Sequence, residues 1–182
     1  GIYVTGLGSL AVNRGTISNN GIYGIWVEKE SVAKNYGIIQ NKGANGMLAS
    51  DSGVAQNYGV IKNIGDYGMW AQASGRIENY GTIQNIGNNG MMTNGASLIT
   101  NNGLIANTGD TGMYSQTGGT AVNGPDGIIR NGGNIGMIAF TSATNDGLIE
   151  NAGNTGMSGV NYNSRVVNNG TIKNKSNYGI TS

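Results

Sequence analysis

The chain has 182 residues, with 34 Gly, one Pro, no Cys, no His, 10% charged residues and a formal net charge of +1. Without cysteine or histidine there are no disulfides, no thiolate metal sites and no imidazole base, so zinc and Ser-His-Asp chemistry are excluded and no cofactor or metal is expected. Ten Lys and Arg scattered over unrelated repeat positions form no basic stripe, so nucleic acid is not an expected partner; nor is direct membrane insertion, because no apolar run reaches spanning length and neither end shows a lipidation signal.

Glycine content this high would fit a disordered segment, but periodicity argues otherwise. A Gly followed by Met or Ile recurs at Gly24, Gly46, Gly68, Gly90, Gly112, Gly136, Gly156 and Gly179, a period of about 22 residues. A second signature, Asn-x-Gly-x-Ile-x-Asn-x-Gly, follows in nearly every unit, as in Asn57-Tyr58-Gly59-Val60-Ile61-Lys62-Asn63-Ile64-Gly65. The sequence opens and closes at the same phase of the repeat, with Gly1-Ile2 and Gly179-Ile180, and neither end shows a polar capping unit. The expectation is one elongated domain over residues 1–182, cut from a longer array and flanked by further repeats of the same chain.

Within a unit such as 68–89 the elements follow in order: a strand at Met69-Trp70-Ala71, a turn at Ala73-Ser74-Gly75, a strand at Arg76-Ile77-Glu78, a corner at Tyr80-Gly81, a strand at Thr82-Ile83-Gln84 and a second corner at Gly87-Asn88-Asn89. Helical spacing is absent, and Gly or Asn falls every few residues, which a helix would not tolerate. Three short strands per turn predict an all-β fold, a right-handed parallel β-helix of about eight coils, the hand following from the chirality of parallel crossovers.

Alternation then assigns the faces. In the first strand Met47, Met69, Met91, Met113, Met137 and Met157 point inward; the second contributes Ala33, Ala55, Ile77, Ile99, Ala121, Ala143 and Val166; the third supplies the isoleucine column from Ile17 to Ile172. Two asparagine columns fall at the corners, one including Asn35, Asn57, Asn79 and Asn101, the other Asn41, Asn63, Asn85 and Asn107. Stacked identical amides donate to one neighbour and accept from the next, so these are expected to be structural ladders. Glycines two residues later, such as Gly59, Gly81 and Gly103, would permit a positive φ or a close backbone approach.

Units such as Asn79-Tyr80-Gly81-Thr82-Ile83-Gln84-Asn85-Ile86-Gly87 resemble the passenger repeats of fusobacterial type V autotransporter adhesins, the RadD-like large outer-membrane proteins, over the whole chain. The resemblance implies a long β-helical passenger on the bacterial cell surface or released outside it, anchored in the outer membrane through a C-terminal β-barrel outside this chain. It also implies attachment to a surface protein or glycan of host cells or other bacteria. No binding motif of that family maps onto particular residues here.

Two surfaces are candidates for recognition. The outward position after each inward Met reads Trp26, Leu48, Trp70, Met92, Tyr114, Ile138 and Ser158, an exposed apolar ribbon of the kind that marks interfaces. Tyr36, Tyr58 and Tyr80 stack on three consecutive coils; they either offer rings to sugar faces or a partner protein, or merely brace neighbouring coils. A two-residue insertion at Asn123-Gly124-Pro125-Asp126-Gly127, with a shortened coil after it, predicts a bulge on the rod.

The alternative function is cleavage of a polysaccharide. Asp126 and Asp146 share a column in adjacent coils, about 5 Å apart by strand spacing, and Asp66 and Asp110 share another at about 10 Å. Asn and Asp interchange freely at these positions beside Gly, which is turn chemistry, so the expected reading is non-enzymatic. The first pair would make a poor calcium site, lacking further oxygen donors.

Overall fold

The computed structural model describes residues 1–181, and every regular element in them is a β-strand. Eight coils, at residues 2–19, 23–41, 45–63, 67–85, 89–107, 111–131, 135–151 and 155–174, stack along one axis, and a final strand, Tyr178–Thr181, begins the next. Corresponding strands pair in parallel across coils and build three sheets of nine, eight and eight strands. The fold is therefore the parallel β-solenoid that the 22-residue period predicts. In the fourth coil the strands are Tyr67–Ala71, Arg76–Asn79 and Thr82–Asn85. Each reaches one or two residues beyond the predicted segments, because the corner asparagines Asn79 and Asn85, and Tyr67 and Gly68 before Met69, join the ladders.

Like residues lie over like. Met69 pairs in register with Met47 and Met91, Ile83 with Ile61 and Ile105, and Ile77 with Ala55 and Ile99. These inward columns form one continuous core, fully buried from the third coil to the seventh. Each coil contributes two or three large side chains to it, on the order of 5 kcal/mol before chain entropy, and only when the coils above and below cover them.

The amide ladders form without a break. From Asn13 to Asn168 every Nδ2 donates to the Oδ1 of the asparagine one coil further on, at 2.7 or 2.8 Å. The column from Asn19 to Asn174 does the same at 2.8–3.0 Å. The second amide hydrogen is also used. In the first ladder it reaches the carbonyl two residues on, as Asn79 does to Gly81 at 3.2 Å, except at the insertion, where Asn123 reaches Gly127 at 3.1 Å; in the second, it reaches the carbonyl four residues on, as Asn85 does to Asn89 at 2.9 Å. Only asparagine supplies both donors and an acceptor at this reach, since aspartate lacks the donors.

The corner glycines serve close approach and not positive φ. A Cβ on Gly81 would collide with the Gly59 carbonyl of the coil before it. Positive φ falls instead at the first corner, on Gly6, Gly8, Gly95 and Gly118 and on non-glycine pairs in three successive coils: Lys29 and Glu30 (54° and 59°), Asp51 and Ser52 (46° and 63°), Ala73 and Ser74 (47° and 64°). Two consecutive positive φ values are the pattern of a type I′ turn. The turns also bond across coils, Glu30 N to Asp51 O and Ser52 N to Ala73 O, each at 3.3 Å.

The predicted bulge is present. Gly127 N donates to Gly124 O at 2.9 Å, closing a turn that leaves Pro125 and Asp126 exposed. The next coil recovers its phase at the first corner, where Ile135–Ala139 and Ser142–Asn145 are separated by Phe140 and Thr141 alone.

Candidate functional site

The outer faces of the three sheets are where this rod meets anything else, and each has its own chemistry. On the first sheet, Trp26, Leu48, Trp70, Met92, Tyr114, Ile138 and Ser158 do lie in one column. The expectation that the ribbon is exposed needs correcting, because Leu48 is 1% exposed and Met92 5%. Each sits between two larger neighbours, Leu48 between Trp26 and Trp70, and Met92 between Trp70 and Tyr114, whose rings spread over it. Further aromatics extend the cover: Tyr3 and Tyr23 pack on Trp26 with centroids at 4.7 and 5.4 Å, Tyr67 on Trp70 at 5.5 Å, and Phe140 on Tyr114 at 5.8 Å. The ribbon is a second apolar layer that largely covers itself.

At the corner between the second and third sheets, Tyr36, Tyr58 and Tyr80 are exposed and stacked. Ring centroids are 4.9 and 5.0 Å apart, with planes within 9° and 6° of parallel. Stacking along the rod means that the rings cover one another's faces. Tyr58 has a neighbour on each side and presents only its edge and hydroxyl, so sugar stacking on successive rings is not open to this column. Tyr80 Oη donates to Glu78 Oε2 at 3.2 Å, and Gln56 Nε2 donates to the same oxygen at 2.7 Å. Arg76 forms an ion pair with Glu78, which its partners bury on an outward face. Burial, then the Glu78 charge, raises the Tyr80 phenol above its ordinary value.

A comparable cluster lies at the first coil. Tyr3 Oη and Thr5 Oγ1 donate to Glu28 Oε1 at 2.5 and 3.3 Å, and Lys29 Nζ lies 3.7 Å away. The Tyr3 hydrogen bond is the main reason that the Glu28 carboxyl titrates below its ordinary value and the Tyr3 phenol above its own.

The aspartates sit in corner amide networks. Asn88 donates to Asp66 at 3.2 Å, Asn134 to Asp110 at 2.5 Å and Asn169 to Asp146 at 2.8 Å. Asp126 lies on the exposed tip of the bulge, outside the regular corner that Asp146 occupies. Among the described residues no three His, Cys, Asp or Glu side chains gather in a metal-holding group.

The outer face of the third sheet and the corner after it carry a hollow of which the repeat signature gives no sign. Over coils five to eight it holds an open trough of about 620 Å³, whose lining includes Ala106, Thr108, Arg130, Gly132, Glu150, Ala152, Lys173 and Lys175. Arg130 Nε donates to Glu150 Oε2 at 2.9 Å and Lys173 Nζ to Glu150 Oε1 at 3.4 Å. Those bonds, Arg130 first, hold the Glu150 carboxyl below its ordinary value. A second hollow of about 580 Å³ lies beneath the Pro125-Asp126 bulge and shares Lys173.

No helix of the described residues is long and apolar enough to cross a membrane. No protein-family profile, curated protein or solved structure matches the chain.

Proposed function

We propose that this chain is a rigid binding-and-display segment of a bacterial surface adhesin of the autotransporter type, which holds recognition surfaces away from the cell and mediates attachment to host cells or other bacteria. One observation supports it above the rest. Successive coils are joined by strand pairing in three sheets and by an amide hydrogen bond in each of two ladders around a filled core, so the chain is a stiff rod suited to holding surfaces at a distance. The tyrosine stack and the tryptophan ribbon then serve mainly as braces, and recognition lies on the flank that the braces leave open.

The test uses the purified chain. It should bind host epithelial or partner bacterial cells saturably and block attachment by bacteria that display the parent protein. Failure to bind, together with release of reducing ends from a surface polysaccharide that stops on Asp126→Asn or Asp146→Asn, would establish the glycan-cleaving alternative instead.

A further inference from the structure

The trough on the third sheet breaks the repeat, and it does so by omission. One corner column, aligned by backbone bonds from each residue to the coil before, runs Lys42, Ile64, Ile86, Thr108, Gly132, Ala152, Lys175. Ile64 and Ile86 project into solvent and fill this corner in coils three and four. From coil five to coil seven the column shrinks, before Lys175 closes it in coil eight, and the adjoining outward column drops from Gln84 to Ala106 where the shrinkage begins.

Packing does not force this shrinkage. A Cβ on Gly132 would meet nothing closer than 3.6 Å, an ordinary contact, whereas on the next residue, Gly133, it would strike the Gly109 carbonyl. Gly133 is required by the backbone; Gly132 is not, and its bareness keeps the trough open.

Charge is concentrated at the same place. Arg130, Lys173 and Lys175 face the trough with one carboxylate, Glu150, among them. Among the described residues, Arg130 is engaged only through Nε, so its two terminal nitrogens keep the paired donor edge that recognises a carboxylate or sulfate, and Lys175 has no acidic partner. The lining is more apolar than polar, with the Ala106 and Ala152 methyls and bare Gly132 beside the ladder asparagines, while Arg130, Glu150, Lys173, Lys175 and the Thr108 hydroxyl supply the charged and hydrogen-bonding groups. An amphipathic pyranose ring has the same division between C–H face and hydroxyl edge, and the volume lies within the range of small-molecule sites.

The geometry points to this trough as a binding site for a sugar unit carrying an anionic group, a uronate or a sulfated hexose, within a surface polysaccharide. The inference rests on reading the rod as the display segment of a binding protein and names where and what it binds. A peptide is disfavoured because the strands flanking the trough spend their main-chain groups on the neighbouring coils, leaving no edge to extend. A nucleic acid is disfavoured by the net charge of +1.

Titration calorimetry on the intact chain tests it, with tetrasaccharides of uronate, of sulfated hexose and of neutral hexose, and with an acidic peptide. The expected result is binding of one or both acidic saccharides with a dissociation constant on the order of 1 mM or tighter, and at least about tenfold weaker binding of the neutral one. Which acidic saccharide binds distinguishes carboxylate from sulfate.

Gly132→Ile restores the side chain of the earlier coils and should abolish binding with an unchanged circular dichroism spectrum. Arg130→Gln should weaken binding about tenfold, and Glu150→Gln, which removes the opposing charge and releases Arg130 and Lys173, should strengthen it. Equal affinity for neutral and acidic saccharides, preference for the peptide, no binding at all, or insensitivity to both Gly132→Ile and Arg130→Gln would overturn the site. Cell binding that survives those substitutions would overturn the trough and leave the display reading standing; trough binding without any cell binding would do the reverse.

Discussion

Side chains that repeat in register are satisfied by their own copies, and that determines what each substitution does. Asn79 is fully buried, accepts from Asn57 and donates to Asn101 and Gly81. Asn79→Ala should therefore cost about 2–4 kcal/mol in urea unfolding, from lost bonds and from polar groups left unpaired in both adjacent coils. Asn79→Asp should cost more at neutral pH, because it cannot donate to Asn101 and it buries a charge. Burial raises the folded pKa of that aspartate, so the extra penalty is absent below its unfolded value and grows as pH rises through the folded one. The reverse case is Thr93, whose fully buried Oγ1 has no partner among the described residues. Thr93→Val keeps the shape and removes the unpaired hydroxyl, and should raise stability by about 1 kcal/mol, or roughly 2–4 °C in Tm. Titration is expected at both ends of the pH scale. Tyr3, Tyr67 and Tyr80 have raised phenol values, from the Glu28 bond in Tyr3 and chiefly from burial in the other two, so their contribution is intact below about pH 10 and is lost as pH rises further. Glu28 and Glu150 are lowered, so their contribution is present above about pH 4.5 and is lost as pH falls. Tyr67→Phe should shift the alkaline unfolding midpoint upward.

At the level of strands and corners, the sequence is most informative where coils agree and least where they differ. The inward methionines, the isoleucines and both asparagine columns were legible because a buried column tolerates one kind of residue and so repeats it. Exposure of the outer ribbon was not legible from alternation. Alternation says which way Leu48 and Met92 point, whereas their burial depends on the size of Trp26, Trp70 and Tyr114 one coil away. The covered faces of the tyrosine stack follow the same rule, since coil spacing brings identical rings within stacking distance. The positive φ pairs leave no mark in the sequence, because Ala73 and Ser74 have no strong left-handed preference of their own. That gives a prediction at this scale: replacing Ala73-Ser74 with Asn-Gly, the pair that type I′ turns favour, should stabilise the chain by about 1 kcal/mol, measured as a higher urea midpoint. The trough has a signal in the corner column, where Ile64 and Ile86 give way to Thr108, Gly132 and Ala152, but it lies in the loss of the repeat and not in the repeat itself.

As a whole molecule the chain is a stack whose coils depend on their neighbours and on little else, so stability should divide into nearly equal coil-to-coil terms. In the proposed role, display at a distance would use that stiffness, and recognition would use the places where the stack departs from its own pattern, the trough and the bulge of coil six. The claim beneath both is that corresponding residues lie one coil apart along a straight axis for the full length of the chain. Ser18 and Lys173 share an exposed column through seven successive pairings, from the first coil to the eighth. With spin labels at these two positions, pulsed electron paramagnetic resonance should give a single narrow distance distribution near ~34 Å, seven steps of about 4.8 Å. A broad distribution, or one centred below about 25 Å after allowance for label length, would mean that the coils do not stack in register, and the rod and its role in display would both be contradicted.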